Sequence, residues 1–159
     1  MLMKVFPHGT GEGDKPSRYL VRPDYPGRDT RPPQVLRGDP AMTRALIDSI
    51  ERRWKFTSGV LSWHPDEKIS EAQEEEVMDA FERVAFAGLD ADQRNILWVR
   101  HTHAGHHELH FLIPRLELSS GKDFNACPPG WQKDFDVFRD LFNWREGWAR
   151  PDDPARARD

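Results

Sequence analysis

The sequence has one cysteine, Cys127, and no long apolar run. A single cysteine excludes a disulfide framework and a cysteine-based zinc site, and it is typical of a protein in a reducing cytoplasm. No stretch approaches the roughly 18 apolar residues of a membrane span, and the N-terminus has no signal-peptide core. The glycines of residues 9–13 are not followed by the lysine-serine ending of a phosphate-binding P-loop. We therefore expect a cytoplasmic protein without membrane insertion.

Length and charge restrict the possible functions further. The 159 residues suit one globular domain, and a hydrophobic fraction of 37% is enough for a real core. The net charge of −4 argues against a protein that merely coats nucleic acid, but it allows a local basic surface that binds a short stretch of DNA. Many arginines lie between Arg18 and Arg53, whereas acidic residues concentrate between Asp66 and Glu82.

Hydrophobic periodicity predicts an α+β domain in which an antiparallel β-sheet has helices on at least one face. The acidic cluster 74–76 is predicted to be a solvated helix face, and residues 22–40, rich in proline, glycine and arginine, a long exposed loop. Residues 1–150 form the predicted domain, and 151–159 a charged linker or the truncated start of a C-terminal region. The predicted strands are Met1–Phe6, Phe56–Trp63, Asn95–His101 and Glu108–Pro114; the predicted helices are Ser17–Val21, Pro40–Arg53, Ser70–Ala87 and Trp131–Trp144.

Five of the seven histidines lie in residues 95–114, where two apolar runs flank a loop. The pattern predicts a hairpin in which His101 lies opposite Glu108 and Val99 lies opposite His110. Since side chains alternate between faces with period 2, His101, Glu108 and His110 share one face. Two imidazoles and a carboxylate suit Mn²⁺, Zn²⁺ or another divalent metal. The alternative is a polar hairpin face with solvated histidines.

The remaining polar candidates are less defined. His103, His106 and His107 fall in the hairpin loop, where they are predicted to be solvated, with contact to DNA phosphates as the alternative. Cys127 stands between Ala126 and two prolines without a nearby base, so we interpret it as structural. No Ser-His-Asp spacing is visible, and a nucleophile is still required beside the metal.

The residues of the chain resemble a known family. From Lys4 to about Asp153 the chain is similar to the relaxases of mobilizable plasmids, transfer endonucleases related to the histidine-hydrophobic-histidine (HUH) superfamily. The nearest likeness is to the colicin-plasmid branch of the MOB-P class, which implies an HUH relaxase-like palm. The resemblance is carried by Lys4–Gly13, Tyr19-Leu20, Leu36-Arg37-Gly38, Lys55–Ser62, Phe81–Val84, Gly88-Leu89-Asp90, Asp92-Gln93, Ile96–His101 and Glu108–Pro114.

The resemblance implies a metal site at His101, Glu108 and His110. Most MOB-P relaxases have three histidines at these positions, and the colicin branch has histidine, glutamate and asparagine. This chain has histidine, glutamate and histidine, and His110 should bind a divalent metal more strongly than an amide would. The implied cofactor is Mn²⁺ or Mg²⁺, with Zn²⁺ as an alternative.

The resemblance also implies a nucleophile and a substrate. Tyr19 matches the family nucleophile, which attacks the scissile phosphate and leaves a covalent 5′-phosphotyrosyl bond and a free 3′-hydroxyl. Tyr25 is the competing tyrosine, and Glu82 is a candidate general base with an alternative role as a surface carboxylate. Four arginines are candidates for DNA contacts, with solubility as the alternative: Arg22, Arg28, Arg31 and Arg37.

The implied partners are single-stranded origin-of-transfer DNA, plasmid mobilization accessory proteins and the coupling protein. Two other functions stay open at this point. The first is a hydrolytic metallonuclease that activates water at the same ion. The second is a catalytically weak DNA-binding accessory protein, which the altered metal signature suggests.

Overall fold

A five-stranded antiparallel sheet forms the centre of the fold in a computed structural model that describes residues 1–150. The strands follow the order β1-β3-β5-β4-β2 across the sheet. The predicted α+β class is confirmed, and the predicted linker at 151–159 lies outside the described residues. The strands are β1 (Leu2–Val5), β2 (Gln34–Arg37), β3 (Phe56–Ser62), β4 (Leu97–His101) and β5 (Glu108–Pro114); the helices are α1 (Asp14–Val21), α2 (Pro40–Asp48), α3 (Glu71–Ala85) and α4 (Gln132–Glu146), with a short 3₁₀ turn at Ala91–Gln93.

Helices cover both faces of the sheet. Trp98 and Phe111 on one face pack against Phe81 of α3, whose ring centroid lies 5.0 Å and 4.6 Å from theirs. On the other face, Leu97, Val99 and Leu112 pack against Leu20 of α1 and Ile47 of α2, and all five are buried. The runs Leu97–Val99 of β4 and Phe111–Ile113 of β5 are therefore apolar without alternation, as expected for strands buried on two sides. The two faces are called the α3–α4 face and the α1–α2 face below.

The boundaries of the helices follow their caps. Ser70 and Gln73 form the predicted capping box at the start of α3, where each side chain accepts a hydrogen bond from the backbone of the other residue. Asp39 caps α2, and Pro40 takes its first position, where no backbone donor is needed. The predicted C-terminal end of α2 at Arg53 is wrong, because the helix stops at Asp48. Helix α1 begins three residues earlier than predicted, with Pro16 in its first turn.

The prediction of an unbroken exposed loop over residues 22–40 is wrong in two ways. Gln34–Arg37 form the edge strand β2, which pairs with β4 and has an irregular register between Val35 and Arg37. Arg28, in the same segment, has no exposed surface. Gly38 ends the strand with a φ of +88°, and a side chain there would approach the Ile96 carbonyl oxygen to 2.4 Å.

The prediction that the acidic cluster 74–76 is solvated is wrong for Glu74. Only 2% of Glu74 is exposed, although it lies on α3. Its carboxylate accepts a hydrogen bond from Arg100 at 2.7 Å and another from His107 at 2.8 Å. Both of these bonds end at Oε2, and Arg100 Nη2 donates to Oε1, so burying this carboxylate is tolerated because each oxygen accepts a charge-assisted hydrogen bond. Glu74 thereby connects α3 to β4 and to the hairpin loop.

Candidate metal and nucleophile site

The predicted hairpin register is confirmed. His101 pairs with Glu108 and Val99 pairs with His110 in the ladder between β4 and β5. As a result His101, Glu108 and His110 lie on the α1–α2 face, and one potential ligand atom from each lies within 4.8 Å of the other two. His101 is 1% exposed and His110 9% exposed, so the pair is withdrawn from solvent.

His101 is held in a form that can bind a metal. Its Nε2 lies 2.7 Å from the Leu20 carbonyl oxygen, which can only accept, so Nε2 carries the hydrogen and Nδ1 keeps its lone pair. Burial, followed by the charge of His110, lowers the pKa of His101 to about 4. The imidazole is therefore neutral at pH 7, as a metal ligand must be.

Glu108 provides the negative charge of the group. Burial alone raises its pKa, but the hydrogen bonds and charges of His110 and His106 outweigh burial and hold the pKa at about 2. His110 Nε2 lies 3.2 Å from one carboxylate oxygen, and His106 Nε2 lies 2.9 Å from the other. The neutral imidazole of His101, the imidazole of His110 and the ionised carboxylate of Glu108 form a donor set that fits a divalent cation and leaves further coordination positions open.

The loop histidines are less exposed to solvent than predicted. His106 binds Glu108, and His107 binds Glu74, and neither side chain is more than 19% exposed. The prediction that they are solvated is therefore wrong. The His103 ring lies 5.2 Å from the His101 ring and 5.5 Å from the Tyr25 ring, measured between centroids. The contacts of His107 with Glu74 and of His103 with Tyr25 join segments far apart in sequence, so residue spacing could not predict them.

Tyr19 lies beside the three candidate ligands. It is the residue before Leu20, whose carbonyl oxygen contacts His101. Tyr19 is 43% exposed and lines a cavity of about 670 Å³ together with Tyr25, His101, Glu108 and His110. Burial and then Tyr25 raise the pKa of Tyr19, and Arg28 opposes them. The fold thus brings the predicted nucleophile to the predicted metal site across some eighty residues of sequence.

The Arg28 guanidinium packs against the rings of both Tyr19 and Tyr25. The centre of its guanidinium is 4.9 Å from the centroid of the Tyr19 ring and 4.7 Å from that of Tyr25. Its Nη1 donates hydrogen bonds to the backbone oxygens of Tyr19 and Arg22, while Nε and Nη2 are buried without a hydrogen-bond partner. Burying a cation in this way is costly. A buried cation without full pairing is a feature of functional sites rather than of ordinary packing.

The other predicted DNA-contacting arginines divide into two groups. Arg22 pairs with Asp24 at 3.1 Å, and the centre of its guanidinium lies 5.6 Å from the Tyr25 ring centroid. Arg31 donates to the Thr102 carbonyl oxygen at 3.2 Å, so both arginines lie near the site. Arg37 lies elsewhere. Its guanidinium donates to Glu82 of α3 at 2.6 Å and to two further carboxylates of that helix, Glu75 and Asp79.

Glu82 does not join Tyr19 and the metal ligands. It accepts a hydrogen bond from the Trp98 indole nitrogen at 3.3 Å, and Trp98 belongs to the α3–α4 face. His101 and His110 point to the opposite face of the same sheet, because Trp98 is separated from His101 by an odd number of strand positions. The interpretation as a carboxylate that is bound at the surface fits Glu82, and the role of general base does not.

Cys127 is 1% exposed, as expected of a structural residue. Burial raises the pKa of its thiol to about 12, so it is unreactive at neutral pH.

No helix within residues 1–150 is long and apolar enough to cross a membrane.

The chain is similar to one known protein family and to two known plasmid or relaxase proteins. A family model described as "Relaxase: MobA/VirD2-like, nuclease domain" matches residues 41–143. The chain is 42% identical over 159 residues to cryptic plasmid protein C of Neisseria gonorrhoeae, covering 98% of this chain and 75% of that protein. It is 35% identical over 159 residues to DNA relaxase MbeA of Escherichia coli, covering 99% of this chain but only 30% of that protein. No solved structure gives a significant match.

Proposed function

Because the chain belongs to the MobA/VirD2-like relaxase nuclease family, we propose that it nicks one DNA strand at a plasmid transfer origin through a covalent bond to Tyr19. The family assignment confirms the predicted class of enzyme. The proposal adds the nucleophile, the cofactor and the substrate. The substrate is single-stranded origin-of-transfer DNA, and the proposed partners are plasmid mobilization accessory proteins and the coupling protein.

One contact supports the proposal above all others. His101 Nε2 donates to the carbonyl oxygen of Leu20, the residue that follows Tyr19 in α1. A candidate metal ligand is thereby joined to the turn of helix that carries the nucleophile, and both side chains line the same cavity. A scissile phosphate in this cavity would meet the tyrosine and the metal ligands together. Such fixed proximity is a large part of what an enzyme contributes to phosphoryl transfer.

His101, Glu108 and His110 are the residues that would hold a divalent metal ion. When bound, the ion would act as a Lewis acid that stabilises the negative charge on the phosphate. Histidine at position 110 replaces the asparagine of the colicin branch, so we propose that this site binds Mn²⁺ or Mg²⁺ and also accepts Zn²⁺.

Tyr19 carries out the exchange of bonds, and Arg28 stabilises its ionised form. The Tyr19 phenol loses its proton to solvent water, and its oxygen forms a bond to phosphorus as the bond to the 3′-oxygen breaks. The leaving oxygen takes up a proton and becomes a free 3′-hydroxyl, which can later attack the phosphotyrosine and rejoin the strand. The positive charge of Arg28 favours the phenolate form of Tyr19, opposing the effect of burial.

The test uses a single-stranded oligonucleotide from the transfer origin, labelled at either end and incubated with Mn²⁺ or Mg²⁺. We expect denaturant-resistant attachment of the protein to the 5′ end created at the nick and a free 3′-hydroxyl on the other fragment. Tyr19→Phe should abolish both, whereas Tyr25→Phe should retain both. Adding a chelator should stop the reaction.

Two results would replace this function with another. A nick with two free ends that survives Tyr19→Phe would indicate a hydrolytic metallonuclease. Unchanged Mn²⁺ affinity in His101→Ala, measured by calorimetry, would remove the metal from the site and favour a DNA-binding accessory protein.

A further inference from the structure

Residues 52–55, Arg-Arg-Trp-Lys, form a basic and aromatic segment directly before β3. Trp54 is 40% exposed, Arg52 and Arg53 are exposed, and Lys55 is half-buried. Surfaces that bind single-stranded nucleic acid combine cations for the backbone with aromatic rings on which bases stack. We infer that Trp54 is a stacking surface for a base of single-stranded DNA, several nucleotides from the nick. The inference rests on the proposed function and adds a second DNA-binding position to it.

The Trp54 ring is held in place by two neighbours. The Arg53 guanidinium lies 4.6 Å from the centroid of the ring, and the His8 ring meets it edge-on at 6.3 Å. These contacts restrict the indole while 40% of the residue stays in solvent. A ring that is already ordered loses little conformational entropy when a base stacks on it. Arg53 adds a positive charge next to the stacking surface.

Backbone hydrogen bonds fix the segment on both sides. The Lys55 amide donates to the Gly9 carbonyl oxygen at 2.7 Å, and the Arg115 amide donates to the Lys55 carbonyl oxygen at 2.9 Å. The Arg52 guanidinium donates to the carbonyl oxygens of Arg115 at 2.8 Å and Gly121 at 3.1 Å. These hydrogen bonds hold the segment in place against three other parts of the chain, at Gly9, Arg115 and Gly121.

The position of Trp54 suits a DNA strand that extends away from the nucleophile site. Strand β3 leads from this segment to Val60, which pairs with His110. Six residues at about 3.3 Å each separate Trp54 from Val60 by roughly 20 Å. Lys4 of β1 and Phe6, directly after that strand, line the cavity that contains Tyr19, and His8, two residues further on, contacts Trp54. Cationic and aromatic side chains thus extend from the cavity toward the segment.

The positive charge of residues 52–55 favours nucleic acid over other binding partners of this surface. The whole chain has a net charge of −4, yet residues 52–55 contain three cations. The nearby carboxylate of Asp123 is bound by Arg115 at 2.7 Å and 3.0 Å. A second exposed tryptophan, Trp144 on α4, is 81% exposed and has Asp140 one turn before it. Trp144 has the exposure that stacking needs, but the adjacent Arg145 is paired with the carboxylates of Glu76 and Glu146.

The experiment compares these two tryptophans. Affinity for a long labelled origin oligonucleotide, with several nucleotides on both sides of the nick, is measured by fluorescence anisotropy for Trp54→Ala, Trp144→Ala and the parent. Since one stacked base contributes about 1–3 kcal/mol, Trp54→Ala should bind roughly 5- to 150-fold more weakly. Trp144→Ala should stay within about twofold of the parent. Thermal unfolding shows whether each variant is folded, and Trp54→Phe should recover most of the affinity even if Trp54→Ala unfolds.

A shortened oligonucleotide separates this inference from the proposed function. When only the few nucleotides around the nick remain, Trp54→Ala should bind and cleave like the parent. Equal affinity of parent and Trp54→Ala for the long oligonucleotide would overturn the inference, as would an equal loss on both lengths. If the parent forms no covalent product with either length, the proposed function fails instead.

Discussion

Replacing Arg28 with methionine should shift the reactivity of Tyr19 to higher pH. The guanidinium has no exposed surface, and its centre lies 4.9 Å from the Tyr19 ring centroid. Burial raises the pKa of Tyr19 first, Tyr25 raises it further, and Arg28 acts in the opposite direction. Removal of Arg28 leaves the two raising effects unopposed. The phenol should then ionise at a higher pH, and less phenolate should be present at pH 7.

The separation and the exposure of Tyr19 limit the size of the effect. Two unit charges about 5 Å apart interact by roughly 1 kcal/mol in water and by roughly 3 kcal/mol at an effective dielectric constant of about 20. Because 43% of Tyr19 is exposed, solvent screens the pair and the lower part of this range applies. One pKa unit corresponds to about 1.4 kcal/mol, so the pKa of Tyr19 should rise by about 1 unit. At neutral pH the fraction of phenolate, and with it the nicking rate, should fall roughly 10-fold.

Single-turnover nicking measured from pH 6 to pH 10 tests this reasoning. The deficit of Arg28→Met should shrink as pH rises, because the phenol of the variant ionises in turn, and Arg28→Lys should recover part of the rate. Arg83→Gln removes an exposed cation from α3, on the other side of the sheet, and serves as the control. A deficit that is equal at every pH, or no deficit at all, would refute an electrostatic role for Arg28.

Three further predictions test burial and placement. Glu74→Gln should destabilise the fold by about 3 kcal/mol at pH 7 in urea unfolding. Burial raises the pKa of Glu74, but hydrogen bonds from Arg100 and His107 outweigh burial and lower it, so the stability that Glu74 contributes is present above the ordinary carboxylate pKa and is lost on acidification. The difference in stability between Glu74→Gln and the parent should therefore shrink at low pH, and a constant difference would contradict the ion pairing. Cys127 should react with a thiol reagent at pH 8 only after denaturation, since a pKa of about 12 leaves roughly one thiolate in 10,000; fast labelling of the native protein would contradict its burial. The nicking rate of Glu82→Gln should lie within about twofold of the parent rate. A tenfold lower rate without loss of stability would support a role for Glu82 in the reaction.

The grouping of the three candidate metal ligands was predictable because strand geometry is local. Once the two apolar runs were assigned as a hairpin, the period of two and the length of the loop fixed which side chains share a face. His101, Glu108 and His110 follow from that register alone, and the structure has the same pairs. The capping box of α3 was predictable for the same reason, since Ser70 and Gln73 are only three residues apart.

Contacts between distant segments were not predictable in this way. Helical periodicity identified the buried side of α3, but it does not indicate which face of the sheet the helix covers, so the position of Glu82 stayed open. The edge strand β2 has four residues in a segment of proline, glycine and arginine, and only its pairing with β4 makes it a strand. Nothing in the residues around Arg28 indicates a buried arginine, because its environment is formed by two tyrosine rings and backbone carbonyl groups.

Peptide mapping of the covalent DNA adduct tests the central proposal most directly. The protein is reacted with an origin oligonucleotide and a divalent metal, the adduct is digested, and the residue that carries the nucleotide is identified by mass spectrometry. Tyr19 and Tyr25 lie only 5.7 Å apart between ring centroids and line one cavity, so the measurement must distinguish them. We expect the nucleotide on Tyr19, attached through a 5′-phosphate. Attachment to Tyr25, or cleavage without any adduct, would contradict the assignment.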